Sequence, residues 1–429
     1  MKRHSLSALV AAGLLAGGLS TTSASAADLG GNCCADLEER IAELEATVAR
    51  KGNRKVSLTI SGWVGEQVMW WDSGDEQNTY VTGLGTTLSS HFKFAGEAQI
   101  RAGLTAGYLL HVEVGTADPL AGVDQNTDEG LGTMRAFQSY WYLKDDKLGK
   151  VSVGLLSPAS DNTAILVDGS GSLVPANWVL FDNQNFFLSR GGVQQGARWG
   201  SVVACQAANG GGVAGDCGGF AAPGNYVRYD SPTFAGFSMS ADWGEDDAWD
   251  VAARYAGEFN GVKVAVAASY FEQNDTNPAN ARGIASSYWQ IGAYAQHVPT
   301  GLFIYGAYGS DDTDAVGVTT GDTWYLKAGI RQRWSALGHT VLYGEYGTKD
   351  DMFVDSAALR TAGLGGAGAA VIGSDMNQWG LGIVQEIDAA AMSIWLSYRN
   401  FDAEITQAGN INTSFDEFHV VKFGALINF

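Results

Sequence analysis

Residues 414–429 read SFDEFHVVKFGALINF. Stepping back by twos from Phe429 meets Ile427, Ala425, Phe423 and Val421, all apolar or small. The interleaved Asn428, Gly424 and Lys422 are polar or small, with Leu426 and Val420 as exceptions. Period-two alternation is the mark of a strand with one apolar and one wet face. A single such strand fits any half-buried sheet edge, so the rest of the chain must carry the assignment.

The chain starts with the pattern of a secretory leader over residues 1–26. Lys2 and Arg3 precede the apolar run Ala8–Leu19, and Ser23–Ala26 offers a small-residue cleavage site. Cys33 follows Asn32, which does not suit a lipoprotein signal. Beyond residue 26 no apolar run is long enough for a membrane helix. Without Lys2 and Arg3, 24 of the 26 basic residues remain against 46 acidic ones. Such an acidic chain argues against nucleic acid as a partner, and an acidic surface has no attraction for anionic lipid. The 57 glycines, 13 Trp and 16 Tyr with only 7 Pro suit a sheet-rich chain with many tight turns. A mean hydropathy near zero is what a membrane barrel gives, because only alternate residues face lipid.

Of the four cysteines, Cys205 and Cys217 flank AANGGGVAGD and are expected to form a disulfide across a loop. The adjacent Cys33 and Cys34 read either as links between neighbouring chains or as a free thiol pair. Ala35–Arg50 is the one helix expected, with Leu37, Ile41, Leu44 and Val48 at coiled-coil spacing. About two heptads do not hold alone, but a trimeric body would raise their local concentration; the alternative is a solvated linker. Residues 27–55 are thus expected as a periplasmic segment carrying this helix, and 56–429 as the main body.

Sixteen alternating stretches follow: 56–71, 90–102, 104–116, 132–143, 149–156, 224–231, 234–243 and 248–258. The second half holds 261–271, 284–297, 301–309, 322–334, 338–347, 376–387, 390–400 and 415–429. Short connectors alternate with longer polar or Gly-rich ones at 72–89, 117–131, 157–223, 272–283, 310–321, 348–375 and 401–414; only 244–247 is short where a long one is due. Sorted connectors and an even count predict an all-β fold: a sixteen-stranded antiparallel transmembrane β-barrel with a short N-terminal periplasmic helix. Phe92, Phe94, Ala98 and Ile100 alternate with His91, Lys93, Glu97, Gln99 and Arg101. Trp324, Leu326, Ala328 and Ile330 alternate with Lys327, Arg331 and Arg333. Charges on an inner row are costly in a packed core and cheap in a water-filled lumen. The strand-end aromatics Trp70-Trp71, Trp141-Tyr142, Trp243, Trp249, Tyr270-Phe271 and Trp334 are expected in interfacial girdles.

The connector 157–223 is far longer than the rest and rich in Trp, Phe, Leu and Val, which argues against disorder. It is expected to fold back and narrow the pore, presenting Asp161, Asp168 and Asp182. Lys93, Arg101, Lys327, Arg331, Arg333 and Arg399 would face them from inward strand positions. Opposed rows of unlike charge would set a transverse field across the opening. The competing reading is that these charges are solvated and without selective role.

The terminal Phe429 strand resembles the closing strand of bacterial outer-membrane barrels, where the last aromatic is read by the barrel-assembly machinery. CADLEERIAELEATVARKGNRKVSLTISGWV (34–64) and RYDSPTFAGFSMSADWGEDD (228–247) resemble the alphaproteobacterial porin family of rhizobia and brucellae. The resemblance implies a homotrimeric barrel in the outer membrane of a Gram-negative bacterium, among lipid and lipopolysaccharide. It implies passive diffusion of small hydrophilic solutes and ions through a loop-constricted, water-filled channel, with a periplasmic N-terminus. No catalytic residue, cofactor or metal is implied. The mature histidines are His91, His111, His297, His339 and His419, with no G-x-S-x-G or H-E-x-x-H, so an enzyme is not expected. Gly210–Gly215 matches G-x-G-x-x-G without strand–helix context, and Asp311–Asp314 reads as a solvated tip rather than a calcium loop. An energy-driven receptor would need a larger barrel and a plug domain. A substrate-specific channel of the same fold and a structural or adhesive barrel remain as alternatives.

Overall fold

The computed structural model describes residues 55–130, 132–203, 223–244, 247–274, 286–313, 320–353, 355–365 and 368–429. The expected leader, the helix at 35–50 and all four cysteines, including the Cys205–Cys217 pair, lie outside the described residues.

The wall is built from β1 (Thr59–Asp72), β2 (Gln77–Gly83), β3 (Ser90–Arg101), β4 (Leu104–Gly115), β5 (Thr133–Asp145) and β6 (Gly149–Leu156). A two-stranded ribbon, β7 (Phe187–Ser189) and β8 (Gln194–Arg198), interrupts it. The wall resumes with β9 (Gly224–Asp230), β10 (Phe237–Gly244), β11 (Ala248–Phe259), β12 (Val262–Gln273), β13 (Ser286–His297) and β14 (Leu302–Thr313). It closes with β15 (Gly321–Gln332), β16 (Thr340–Asp350), β17 (Val371–Ile387), β18 (Met392–Gln407), β19 (Ile411–Ser414) and β20 (Phe418–Asn428). Neighbouring wall lines pair antiparallel throughout, β6 with β9 across the ribbon, and β20 returns to β1 with Val64 opposite Ile427 and Asp72 opposite His419. Phe429 and Gly62 exchange two backbone hydrogen bonds at the seam. Closure leaves no sheet edge, which hydrocarbon would penalise heavily.

Eighteen of the twenty strands form the wall, and two wall lines are each broken into two strands, so the barrel is sixteen-stranded. The lower end of β1 pairs with β3 (Trp63 opposite His91) and its upper end with β2 (Glu66 opposite Gly83). β2 and β3 are therefore one line, interrupted where residues 84–89 dip into the lumen. The expected long connector 72–89 is instead a tight turn at Ser73–Glu76, then β2, then this inward bulge. Gly85 makes the bulge possible: it has φ +93°, and a Cβ there would strike the Phe181 ring. β19 and β20 likewise form one line broken at Phe415–Glu417.

Alternation sorts the faces. Val64, Leu110, Ile304, Leu326, Leu381, Leu396, Phe423 and Ile427 are exposed on the outside, while Met69, Tyr305, Lys327 and Arg399 are buried inside. Outer aromatics pair across strands as Trp249–Tyr270, Trp289–Tyr308, Trp324–Tyr346 and Trp379–Tyr398, with ring centroids 4.9–5.5 Å apart. The expected girdle doublets need correction. Trp71 and Phe271 are fully buried inside and Tyr142 also points inward, because neighbours on a strand cannot share a face. Only Trp70, Trp141 and Tyr270 of those doublets look outward.

Candidate functional site: a loop fastened along the inner wall

After β6 the chain turns into the barrel and follows the inner wall, fastened at many of the strands it passes. Arg228 on β9 donates to the carbonyls of Ser157 (2.9 Å) and Pro158 (3.1 Å). Asp250 on β11 accepts from the Ala159 and Ser160 amides, at 3.1 and 2.7 Å. Gln290 on β13 takes the Ser160 carbonyl and the Ala164 amide, and Tyr305 on β14 donates to the Ala164 carbonyl at 2.8 Å. Gly292 on β13 lies beneath Ala164; a Cβ there would collide with that carbonyl, so glycine is what lets loop and wall backbones touch.

Charge takes over where the loop reaches the far wall. Lys327 on β15 contacts Asp168 at 2.5 Å and Asn177 Oδ1 at 2.6 Å. Arg399 on β18 forks between Asp182 and Glu345 (2.8 Å to the latter) and donates to the Ala176 carbonyl. Lys422 on β20 contacts Asp182 at 2.5 Å and the Pro175 carbonyl at 3.2 Å. All six charged side chains are at most 6 % exposed, and three cations face three carboxylates. Unpaired, any of them would be prohibitively costly so deep; paired, they hold the loop in one register. Beyond Asp182, Phe186 and Trp199 pack on Trp71, Phe401 and Phe418. The β7–β8 ribbon ends at the loop mouth, where Asp416 accepts from the Gly191 and Gly192 amides at 3.0 and 2.8 Å.

The loop thus covers the inside from β9 round to β1. The wall of β3–β6 is the part it leaves open, with Glu97, Gln99 and Lys144 exposed and Leu109, Tyr140, Tyr142 and Lys150 half-buried at inward positions.

The structure brings four of the expected residues together in two pairs, Asp168 with Lys327 and Asp182 with Arg399. They touch rather than oppose each other across a gap. Arg331 lies against the loop at Gly171 but pairs with Glu386, at 2.8 Å. Asp161 is half-buried on the loop beside Asn162. Lys93 is buried on the open side, its Nζ 5.7 Å from the centroid of the Trp63 ring. Arg101 and Arg333 are exposed at the short-turn end, Arg333 paired with Asp388 at 2.8 Å, and neither reaches the loop. Sequence reasoning missed Glu345, Lys422, Arg228 and Asp250. Lys422 carried a signal, a lysine interleaved in the closing apolar strand; the others look like ordinary inward polar residues.

A family model for Gram-negative porins matches residues 7–406, nearly the whole chain. The chain belongs to the Gram-negative porin family. No curated protein sequence matches it. Among solved structures, the anion-selective porin from Comamonas acidovorans aligns with TM-score 0.53 at 14% identity, covering 87% of this chain and 100% of that one. In-vitro folded OmpT, an outer membrane protein of Vibrio cholerae, aligns with TM-score 0.51 at 13% identity over 89% and 100% of the chains. Its trimer form gives 0.50 at 12% identity over 87% and 99%. At such identities the likeness is one of fold. The porin is a multi-pass barrel of the outer membrane and passes small solutes by passive diffusion. Its short turns lie on the periplasmic side and its long loops outside, as in bacterial barrels generally.

Proposed function

We propose that the loop of residues 157–223 sets the calibre of this porin and that solutes pass between the loop and the open wall of β3–β6. The observation that carries the reading is the loop's path: it is fastened from Arg228 to Trp71 and leaves that one arc uncovered. Asp168, Asp182, Lys327 and Arg399 then act as anchors of the constriction, and selectivity falls to the exposed inward charges on the open side, Glu97 and Lys144. The finer reading extends to the alphaproteobacterial branch, a homotrimer, and residues 35–50 as a periplasmic coiled-coil stub behind a leader at 1–26. The resemblance of 34–64 and 228–247 supports the branch, and the trimer form of a fold relative supports the assembly.

Single-channel conductance in a planar bilayer tests this. Leu109→Trp, at an inward mid-strand position on the open arc, is expected to lower conductance, while Ile304→Trp on the lipid face leaves it unchanged. Equal conductance in both variants would place the passage elsewhere.

A further inference from the structure

Beneath the loop, at the periplasmic mouth, lies a cavity of about 280 Å³. Its roof is the loop segment Gly169–Pro175, with Leu173, Val174 and Pro175 facing down. Val384, Trp395 and Leu426 make the wall apolar, and the rim carries Lys263, Gln296, Arg331 and Glu386. The charges are unequal. Asp168 in the roof is neutralised by Lys327, and Arg331 by Glu386 in a two-pronged pair. Lys263 has no ion pair or hydrogen bond among the described residues. Glu258 stands opposite it in the β11–β12 register but does not line the cavity. One uncompensated ammonium beside an apolar pocket is the complement of a molecule with one negative end and an apolar body.

We infer that this cavity is a binding site for small organic monocarboxylates with an apolar body, held by Lys263 at the rim and by the Leu173–Pro175 roof. A carboxylate gains a charge-assisted hydrogen bond from the ammonium. The body displaces water from the surface of Val174, Val384 and Leu426, which is the larger part of binding in most small-ligand pockets. The volume sits at the lower end of ligand pockets, about 300 Å³, so a single ring or branched chain fits and a disaccharide does not. The site lies outside the open arc, so an occupied cavity narrows only the periplasmic mouth. The inference rests on the fold and not on the conduction path proposed above.

Benzoate, benzamide and acetate separate the two requirements. Titration calorimetry on the detergent-folded porin is expected to show benzoate binding at least about ten-fold tighter than either neutral benzamide or bodiless acetate. Lys263→Gln, a rim change that leaves the buried ion pairs intact, is expected to weaken benzoate by about ten-fold and leave benzamide unchanged. Heat-modifiable migration verifies that the variant is folded. Equal affinity for benzoate and benzamide, or an unaltered benzoate affinity in Lys263→Gln, overturns the inference. Since binding is measured without ion flow, a failed channel path and a failed site give different results.

Discussion

Asp168 on the inserted loop and Lys327 on β15 meet at 2.5 Å with both side chains wholly shielded from solvent. They are 159 residues apart in the chain, and their contact joins the loop to the wall. Removing one partner strands the other charge in a medium that cannot hydrate it. Lys327→Met alone is expected to destabilise the barrel by about 3–5 kcal/mol, whereas the double variant Asp168→Asn, Lys327→Met recovers most of that loss. Urea unfolding of the detergent-folded protein measures both. A double variant as weak as the single one would mean that the pair contributes through packing and not charge.

Arg399 serves three acceptors from one planar group, Asp182, Glu345 and the Ala176 carbonyl. A lysine presents a point charge and cannot span them. Arg399→Lys is expected to cost about 2–3 kcal/mol and to raise open-channel current noise, as the loop loses its fork. Quiet channels of unchanged stability in that variant would show that Lys422 alone suffices to hold Asp182.

Facing can be tested by one substitution at two places. Leu381 projects into lipid from the middle of β17, so Leu381→Arg is expected to destabilise by about 2–4 kcal/mol. Leu109 faces water inside, and Leu109→Arg should cost little and shift the reversal potential toward anions. Folding equilibria in lipid vesicles read the first effect and a salt-gradient bilayer the second. The opposite order of costs would invert the assigned faces of these strands.

One external loop carries a pH-dependent fastening. Asp355 accepts from Arg360 at 2.8 Å, and that bond holds its carboxyl below the ordinary carboxylate range. Arg360 sits on a short helix, Ala357–Ala362, capped by Ser356, whose side chain accepts from the Leu359 amide. A lowered folded pKa means that the contribution is present above the unfolded value of about 4 and is lost as pH falls through the folded value. Amide protection over 355–363, relative to the intrinsic exchange rate, is therefore expected to fall in acid in the native protein but to stay level in Asp355→Asn. Identical acid responses in the two would place the sensitive group elsewhere.

The closing strand shows how much was legible from sequence. Val421, Phe423, Ala425 and Ile427 do face outward, and Lys422 between them faces inward, because the two-residue period is a local property of an extended backbone. The doublets mark where position at a strand end misleads: it puts Trp71 in the girdle, while strand alternation sends it inside. The broken line at 84–89 was also hidden. Nothing in LGTTLS demands a dip until Phe181, nearly a hundred residues later, occupies the space above Gly85.

Strand number and the inner and outer rows follow from sequence, since each depends on neighbours a few residues apart; the connectors do not, for the expected long ones at 72–89 and 401–414 carry wall strands. Which charges meet does not follow either. Asp182 could oppose any inward base from Lys93 to Arg399. Its choice of Arg399 and Lys422 depends on the barrel's closure and on the path of the loop around β9–β20. Those are sums over all sixteen strand pairings, so only the tertiary structure could decide that the expected opposing charges close on each other as anchors.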